Sequence, residues 1–120
     1  MNIVVLRGRI SSAPVARELA SGSRLLSLEV TTRDESGVAI SAPVCWFDPP
    51  AATAYDQGDE VVVVGEVKRR FFRTAAGTQS RTEVVATDVV PVRSKRRVER
   101  LVESVAQRVG AVATVPLPSA

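Results

Sequence analysis

The chain has 120 residues, a net charge of +3, one cysteine and no histidine. This length accommodates one domain with an appendage. Histidine is the commonest general acid–base and a frequent metal ligand, and a single cysteine excludes both an intrachain disulfide and the usual zinc sites. We therefore predict that the protein is not an enzyme and needs no cofactor or metal.

The sequence contains no apolar run long enough to cross a bilayer. Its first residues, MNIVVLRGRI, place two arginines after the apolar stretch, which is the reverse of the order in a signal peptide. The single cysteine, Cys45, is expected as a small core residue of a protein in a reducing compartment. We expect a cytoplasmic protein, associated with the nucleoid, without a membrane partner.

The first half of the chain predicts three strands. Residues 3–10 form an apolar run in which Gly8 permits a bend, and residues 11–23 are predicted as a long loop. Residues 25–33 alternate in polarity, and a turn after them places residues 38–47 antiparallel to that strand. Pro43 within this third strand indicates an edge or a bulge.

The second half predicts two more strands. In the linker, residues 48–58, two prolines end the third strand and residues 51–55 are expected to form a helical turn or two. Strand four runs from Glu60 to about residue 70 with a bend at Gly65, and strand five covers residues 82–92. Five strands with a short helix between the third and fourth predict an all-β, five-stranded barrel of the oligonucleotide-binding (OB) type over residues 1–92.

Residues 68–81 join the last two strands, and we call them the hairpin arm. Because this segment is polar and contains Gly77, we predict a β-hairpin with a long tip. The arm carries two adjacent phenylalanines, Phe71 and Phe72, no acidic residue and five cations: Lys68, Arg69, Arg70, Arg73 and Arg81. Cations that hold phosphates, combined with rings that stack on unpaired bases, are typical of single-stranded nucleic acid binding. The alternative is a solvated hairpin whose phenylalanines turn back into the core.

Residues 93–110 predict a basic amphipathic α-helix with Ser94 as its N-cap and Gly110 as its end. Its apolar stripe comprises Val98, Leu101, Val102, Val105 and Val109. Such a helix could pack on its own barrel, contact another subunit or add a surface for the nucleic acid backbone. Residues 111–120 contain two prolines and no charge, and we expect them to be disordered.

Several motifs resemble the bacterial single-stranded DNA-binding protein family over roughly residues 2–92. The opening NIVVLRGRI is similar to the first strand of that family, and Pro14 falls at its acidic-Pro turn. The most specific match is Gly58-Asp59-x5-Gly65-x-Val67-Lys68, followed by a basic strand, Phe72, Gly77 and Thr82-Glu83-Val84-Val85. The resemblance implies an OB fold and largely sequence-independent binding of single-stranded DNA in replication, repair or recombination.

The resemblance also implies roles for individual residues. Phe72 and Phe47 match positions at which an aromatic ring stacks on DNA, and Lys68, Arg70 and Arg73 match basic residues that follow the backbone. Arg7, Arg9 and Arg33 lie on or near strands that form the binding face in relatives. With Arg69 and Arg81 from the arm, these residues are the predicted nucleic-acid-binding set.

Because Trp46 and Phe47 are consecutive in a strand, their side chains point to opposite sheet faces. If Phe47 faces nucleic acid, Trp46 points into the barrel. The reverse register would exchange these two roles.

The chain departs from the family pattern in places. Ser41 stands where the family usually has an aromatic residue. A second family aromatic usually follows strand two, but residues 33–37 contain none. Because each missing ring removes a stacking partner for a base, we expect weaker binding than that of a housekeeping member. The last ten residues hold no acid, which argues against recruitment of repair enzymes by an acidic tip and favours a divergent paralogue. The resemblance implies a homotetramer, with a dimer as the alternative. A primosome-like protein-interaction subunit and an RNA-binding barrel remain the alternative functions.

Overall fold

A computed structural model describes residues 1–51 and 53–110 of the chain, which form six strands and one helix. The residues predicted to be disordered, 111–120, lie outside the described range. The elements in chain order are β1 (Val4–Ile10), β2 (Val15–Glu18), β3 (Arg24–Arg33), β4 (Ala39–Phe47), β5 (Glu60–Thr74), β6 (Gly77–Pro91) and α1 (Lys95–Val109).

Five of the strands close into a barrel. The sheet order is β1-β5-β6-β4-β3-β2, and β1 also pairs with β3 through Arg9↔Thr31 and Ile10↔Val30. All pairs are antiparallel except β4 with β6, which are parallel over three residues, Val44 to Trp46 of β4. The predicted all-β, five-stranded barrel followed by a helix is therefore confirmed.

The barrel interior is filled mainly by valine, with one large ring among the small side chains. Trp46 is only 6% exposed, and its ring centroid lies 6.3 Å from that of Tyr55. The Tyr55 hydroxyl donates to the Val89 carbonyl oxygen at 2.7 Å, so its polar end is satisfied beside the core. Phe47 is 40% exposed, which confirms the predicted register of β4.

Two glycines stand where strands approach too closely for a side chain. A Cβ at Gly8 would collide with the Thr31 carbonyl oxygen at the β1–β3 closure. A Cβ at Gly65 would collide with the Val85 carbonyl oxygen. Beside Gly65 the register of β5 and β6 shifts, leaving Thr87 as the extra residue of a bulge. Close packing of backbones therefore leaves no room for a side chain at either position.

The sequence prediction was wrong in two places, the first loop and the linker. The predicted loop, residues 11–23, contains β2, which pairs with Arg24 to Ser27 of β3. All four β2 residues are exposed, so no alternation of polarity marks them as a strand. The linker forms no helix in its described residues, although the Thr53 N–H donates to the Pro50 carbonyl in a single turn.

The hairpin arm and the helix cap also differ from the prediction. The arm has no long tip, because β5 and β6 stay paired as far as Thr74↔Gly77. A two-residue turn, Ala75 and Ala76, joins them. Ser94 occupies the N-cap position of α1, but its side chain makes no capping hydrogen bond. The predicted end of the helix is confirmed, because Gly110 adopts a left-handed conformation and its N–H donates to the Ala106 and Gln107 carbonyls.

Helix α1 packs loosely on the barrel. None of its residues is buried, and Leu101 lies with Arg97 beside Val90 of β6. Val102 and Val109, at the edge of the apolar stripe, are each 52% exposed. The stripe is therefore only partly covered by its own barrel.

The core position of Trp46 leads to a stability prediction. Trp46→Ala should lower the free energy of unfolding by about 3–5 kcal/mol, because it removes a large buried ring. Phe47→Ala, the matched control on the opposite face, should cost about 1 kcal/mol or less. Urea denaturation measures both, and the native emission of Trp46 should be blue-shifted. Equal losses in the two variants would contradict this register.

Candidate nucleic-acid interface

The hairpin arm is a two-stranded extension of β5 and β6, and its two faces carry different residues. Directly paired residues share a face, and the pairs Lys68↔Glu83, Arg70↔Arg81 and Phe72↔Gln79 alternate with Arg69↔Thr82, Phe71↔Ser80 and Arg73↔Thr78. The first group lies on what we call the outer face, since it continues the exterior of the barrel. The second group continues the side that carries the core residues Val84 and Ala86.

Both phenylalanines of the arm are accessible. Phe71 is 68% exposed and Phe72 is 44% exposed, so neither turns back into the core. The Arg69 guanidinium lies 5.7 Å from the centroid of the Phe71 ring, on the face opposite Phe72. Phe72 shares the outer face with Arg70 and Arg81, and together with Phe71 they line a cavity of about 290 Å³.

Phe47 also lies on the outer face of the sheet. Cys45 pairs with Val85 of β6, which stands on the same face as Glu83, and Phe47 follows Cys45 by two residues. Strand pairing therefore places Phe47 and Phe72 on one side of the sheet. Phe47 additionally lines a groove of about 500 Å³ with Asp48 and with Arg97 of α1.

Two grooves adjoin along the exterior of β3. One, of about 160 Å³, is lined by Ser27 and Glu29 of β3 and by Arg81 of the arm. The other, of about 390 Å³, is lined by the next outward residues of β3, Thr31 and Arg33, together with Arg7 and Arg9 of β1. We call the two together the β3 groove, and it has basic side chains at both ends.

The three arginines at the β1 end are held in place by hydrogen bonds and an ion pair. Arg9 Nη1 donates to the Gly58 carbonyl at 2.9 Å, and Arg33 Nη1 donates to the Gly37 carbonyl at 2.9 Å. Arg7 Nε lies 3.5 Å from the Glu60 carboxylate. Each guanidinium uses one of its several donors in these contacts, so the rest remain for an anion.

The predicted site residues thus fall into three sets. Arg7, Arg9 and Arg33 meet at the β1 end of the β3 groove, while Phe47, Lys68, Arg70, Phe72 and Arg81 lie on the outer face of β4 and the arm. Arg69 and Arg73 lie on the opposite face of the arm, with Phe71.

A buried acidic residue beneath the arm was missed by the sequence reasoning. Glu83 is 3% exposed, and its Oε1 atom lies 2.6 Å from Arg70 Nε. Its Oε2 atom lies 2.8 Å from the Cys45 Sγ atom. Burial and the neighbouring Glu83 carboxylate raise the pKa of the Cys45 thiol to about 11, so the thiol is protonated at neutral pH and donates to the carboxylate. A charged residue directly before the apolar run Val84-Val85-Ala86 was the available signal.

Comparisons with known proteins identify the fold. No protein-family model matches the sequence, and no curated protein matches it significantly. Among solved structures, the chain is similar to the SSB of Plasmodium falciparum in its complex with ssDNA. The TM-score is 0.65 at 19% sequence identity, over 76% of this chain and 94% of that chain. The chain has an OB fold. This fold is shared with a single-stranded DNA-binding protein, as the motifs in the sequence indicated.

Within the described residues, no helix is long and apolar enough to span a membrane.

Proposed function

We propose that the protein binds single-stranded DNA, largely independently of sequence, without catalysing a reaction and without a cofactor. The observation that carries the proposal is the outer face, which combines the exposed rings of Phe47 and Phe72 with the cations of the arm and the β3 groove. Exposed rings accept any base by stacking, and cations accept the phosphates between them.

In this proposal the DNA strand passes from the arm into the β3 groove. Bases stack on Phe72 and Phe47, while Lys68, Arg70 and Arg81 neutralise phosphates. Arg7, Arg9 and Arg33 then receive the backbone at the β1 end, where their hydrogen bonds already hold them in place. Arg69 and Arg73 act from the other face of the arm. We place this activity in DNA replication, repair or recombination in the cytoplasm.

The polar pair Thr31 and Ser41, of which Thr31 lines the β3 groove, supports a mode of binding in which phosphate contacts dominate. Ser41, at the position where an aromatic is usual in the family, shares a hydrogen bond of 2.7 Å with the Thr31 hydroxyl. Each stacking ring is worth about 1–3 kcal/mol per base, so the loss of this ring weakens binding. The binding energy therefore shifts toward charge, and the affinity becomes strongly dependent on salt.

A protein contact is supported by helix α1. Its apolar stripe is only partly covered, and a homo-oligomer would bury Val102 and Val109 against a second copy. We propose a tetramer, with a dimer as the alternative outcome of a mass measurement. An oligomer would also bring several outer faces to one long strand of DNA.

The charge contribution can be tested with two variants of equal net charge. Lys68→Ala/Arg81→Ala removes two outer-face cations, and Arg69→Ala/Arg73→Ala removes two from the opposite face. The outer-face variant should lower the log–log salt slope for oligo-dT by about 1.4, at about 0.7 per phosphate contact. Fluorescence anisotropy at several salt concentrations measures the slope, and oligo-U competition measures the preference for DNA.

The variant of the opposite face is the matched control, and its slope should fall by less. If neither slope changes, the arm is a solvated hairpin and takes no part in binding. If the slope falls equally in the two variants, the DNA strand contacts both faces of the arm.

Stacking can be tested with the adjacent phenylalanines. Phe72→Ala should weaken oligo-dT binding by about 1–3 kcal/mol, since a base loses its stacking partner on the outer face. Phe71→Ala, in which a more exposed ring is removed from the opposite face, should have a smaller effect. Titrations at one salt concentration measure both. A larger effect at Phe71 would argue against stacking on the outer face.

The oligomer can be tested by removing α1. The full chain has a monomer mass of 12.8 kDa, and light scattering should give a multiple of it. Truncation after Val92 should lower the number of subunits, because it removes the apolar stripe. Val102→Gln/Val109→Gln, which keeps the helix, should have the same effect. Unaltered masses in both variants would leave α1 without a role in assembly.

A further inference from the structure

We propose that Glu83 is a positioning residue for phosphate binding, which holds the Arg70 guanidinium beside that of Arg81 so that both meet one phosphate. This inference rests on the proposed function, since it concerns the same outer face. In this inference an acidic residue strengthens the binding of an anion.

The need for such a residue comes from the strand register. Arg70 and Arg81 are directly opposite each other in the arm, and like charges in this arrangement repel and destabilise a sheet. Left alone, two long side chains would swing apart into solvent. Glu83 lies on the same face, diagonal to Arg70, and supplies the negative charge that offsets the repulsion.

The ion pair is selective in its geometry. Glu83 stands directly opposite Lys68, yet among the described residues its only ion pair is with Arg70, through Nε. A guanidinium has five N–H donors in a fixed plane, so engagement of Nε leaves the two terminal nitrogens for a phosphate. Arg70 remains 57% exposed while Glu83 is 3% exposed, so the cation faces solvent and its partner does not.

The carboxylate itself is anchored to the barrel. The Cys45 thiol on β4 donates to Glu83 Oε2 at 2.8 Å, and this donor remains protonated at neutral pH. Cys45 pairs with Ser27 of β3 and with Val85 of β6, so it belongs to the closed part of the sheet. Cys45, Glu83 and Arg70 therefore form a chain of contacts from the barrel to the cavity beside Phe72.

Two physical models give opposite results for Glu83→Gln. If only net charge matters, removing a carboxylate from a basic surface strengthens DNA binding. If Glu83 positions Arg70, the variant weakens binding even though its net charge is more positive. We expect the affinity for oligo-dT to fall about fivefold, within the usual range for coupled neighbouring groups. The salt slope should fall by about 0.7, equivalent to one lost phosphate contact.

The control is Glu66→Gln. Glu66 lies on the same face of β5, two residues before Lys68, and makes no ion pair with any described residue. The charge change is identical, so its binding should become slightly tighter. In an Arg70→Ala background, Glu83→Gln should no longer weaken binding, because the side chain that it positions is absent.

Melting temperatures are measured for every variant, since Glu83 is buried. If Glu83→Gln does not fold, Cys45→Val removes the anchor and leaves the ion pair, and it should still weaken binding. Wild-type affinity or tighter binding in whichever of these variants folds overturns the inference while the proposed function stands. A wild-type chain that does not bind oligo-dT overturns both.

Discussion

The arrangement of the β3 groove and of the barrel core depends on the contact between β1 and β3. Only two residue pairs close the barrel there, and the close approach of the backbones is possible because Gly8 has no side chain. Closure places the outward arginines of β1 next to the outward residues of β3, which creates the basic end of the β3 groove. It also encloses the valine-rich core around Trp46. A side chain at Gly8 would therefore disturb the core and the groove together.

The second constraint is strand alternation in the arm. Because β5 and β6 remain paired to the two-residue turn, each residue of the arm is assigned to one of two faces. The cations, which look like one cluster in the sequence, are thereby divided into separate sets, and the adjacent phenylalanines point in opposite directions. The proposed stacking of bases uses Phe72 because it shares its face with Phe47 and Arg70, whereas Phe71 lies beneath Arg69.

Much of the barrel could be predicted from residue types because its strands alternate in polarity or are bounded by glycine and proline. Strand alternation placed Trp46 and Phe47 on opposite faces, and the family resemblance chose Phe47 as the outward residue; the exposure of the two side chains confirms this register. β2 could not be found, because all four of its residues are exposed and no alternation of apolar and polar residues marks them, although its partner β3 follows directly in the same hairpin. Glu83 was missed for a different reason: its partners, Cys45 and Arg70, come together only when β4 and the arm meet on β6. The binding roles of the predicted site residues remain predictions.

The arm extends beyond the closed ring as two strands without a third neighbour. A two-stranded ribbon is only marginally stable in isolation, and it contributes almost nothing to a buried core. Fraying from the Ala75-Ala76 turn would therefore leave the barrel intact. Substitutions near the turn therefore have little cost to folding, which leaves this segment free to diverge during evolution. That freedom ends at Glu83, the first residue of β6 after the turn whose side chain is buried.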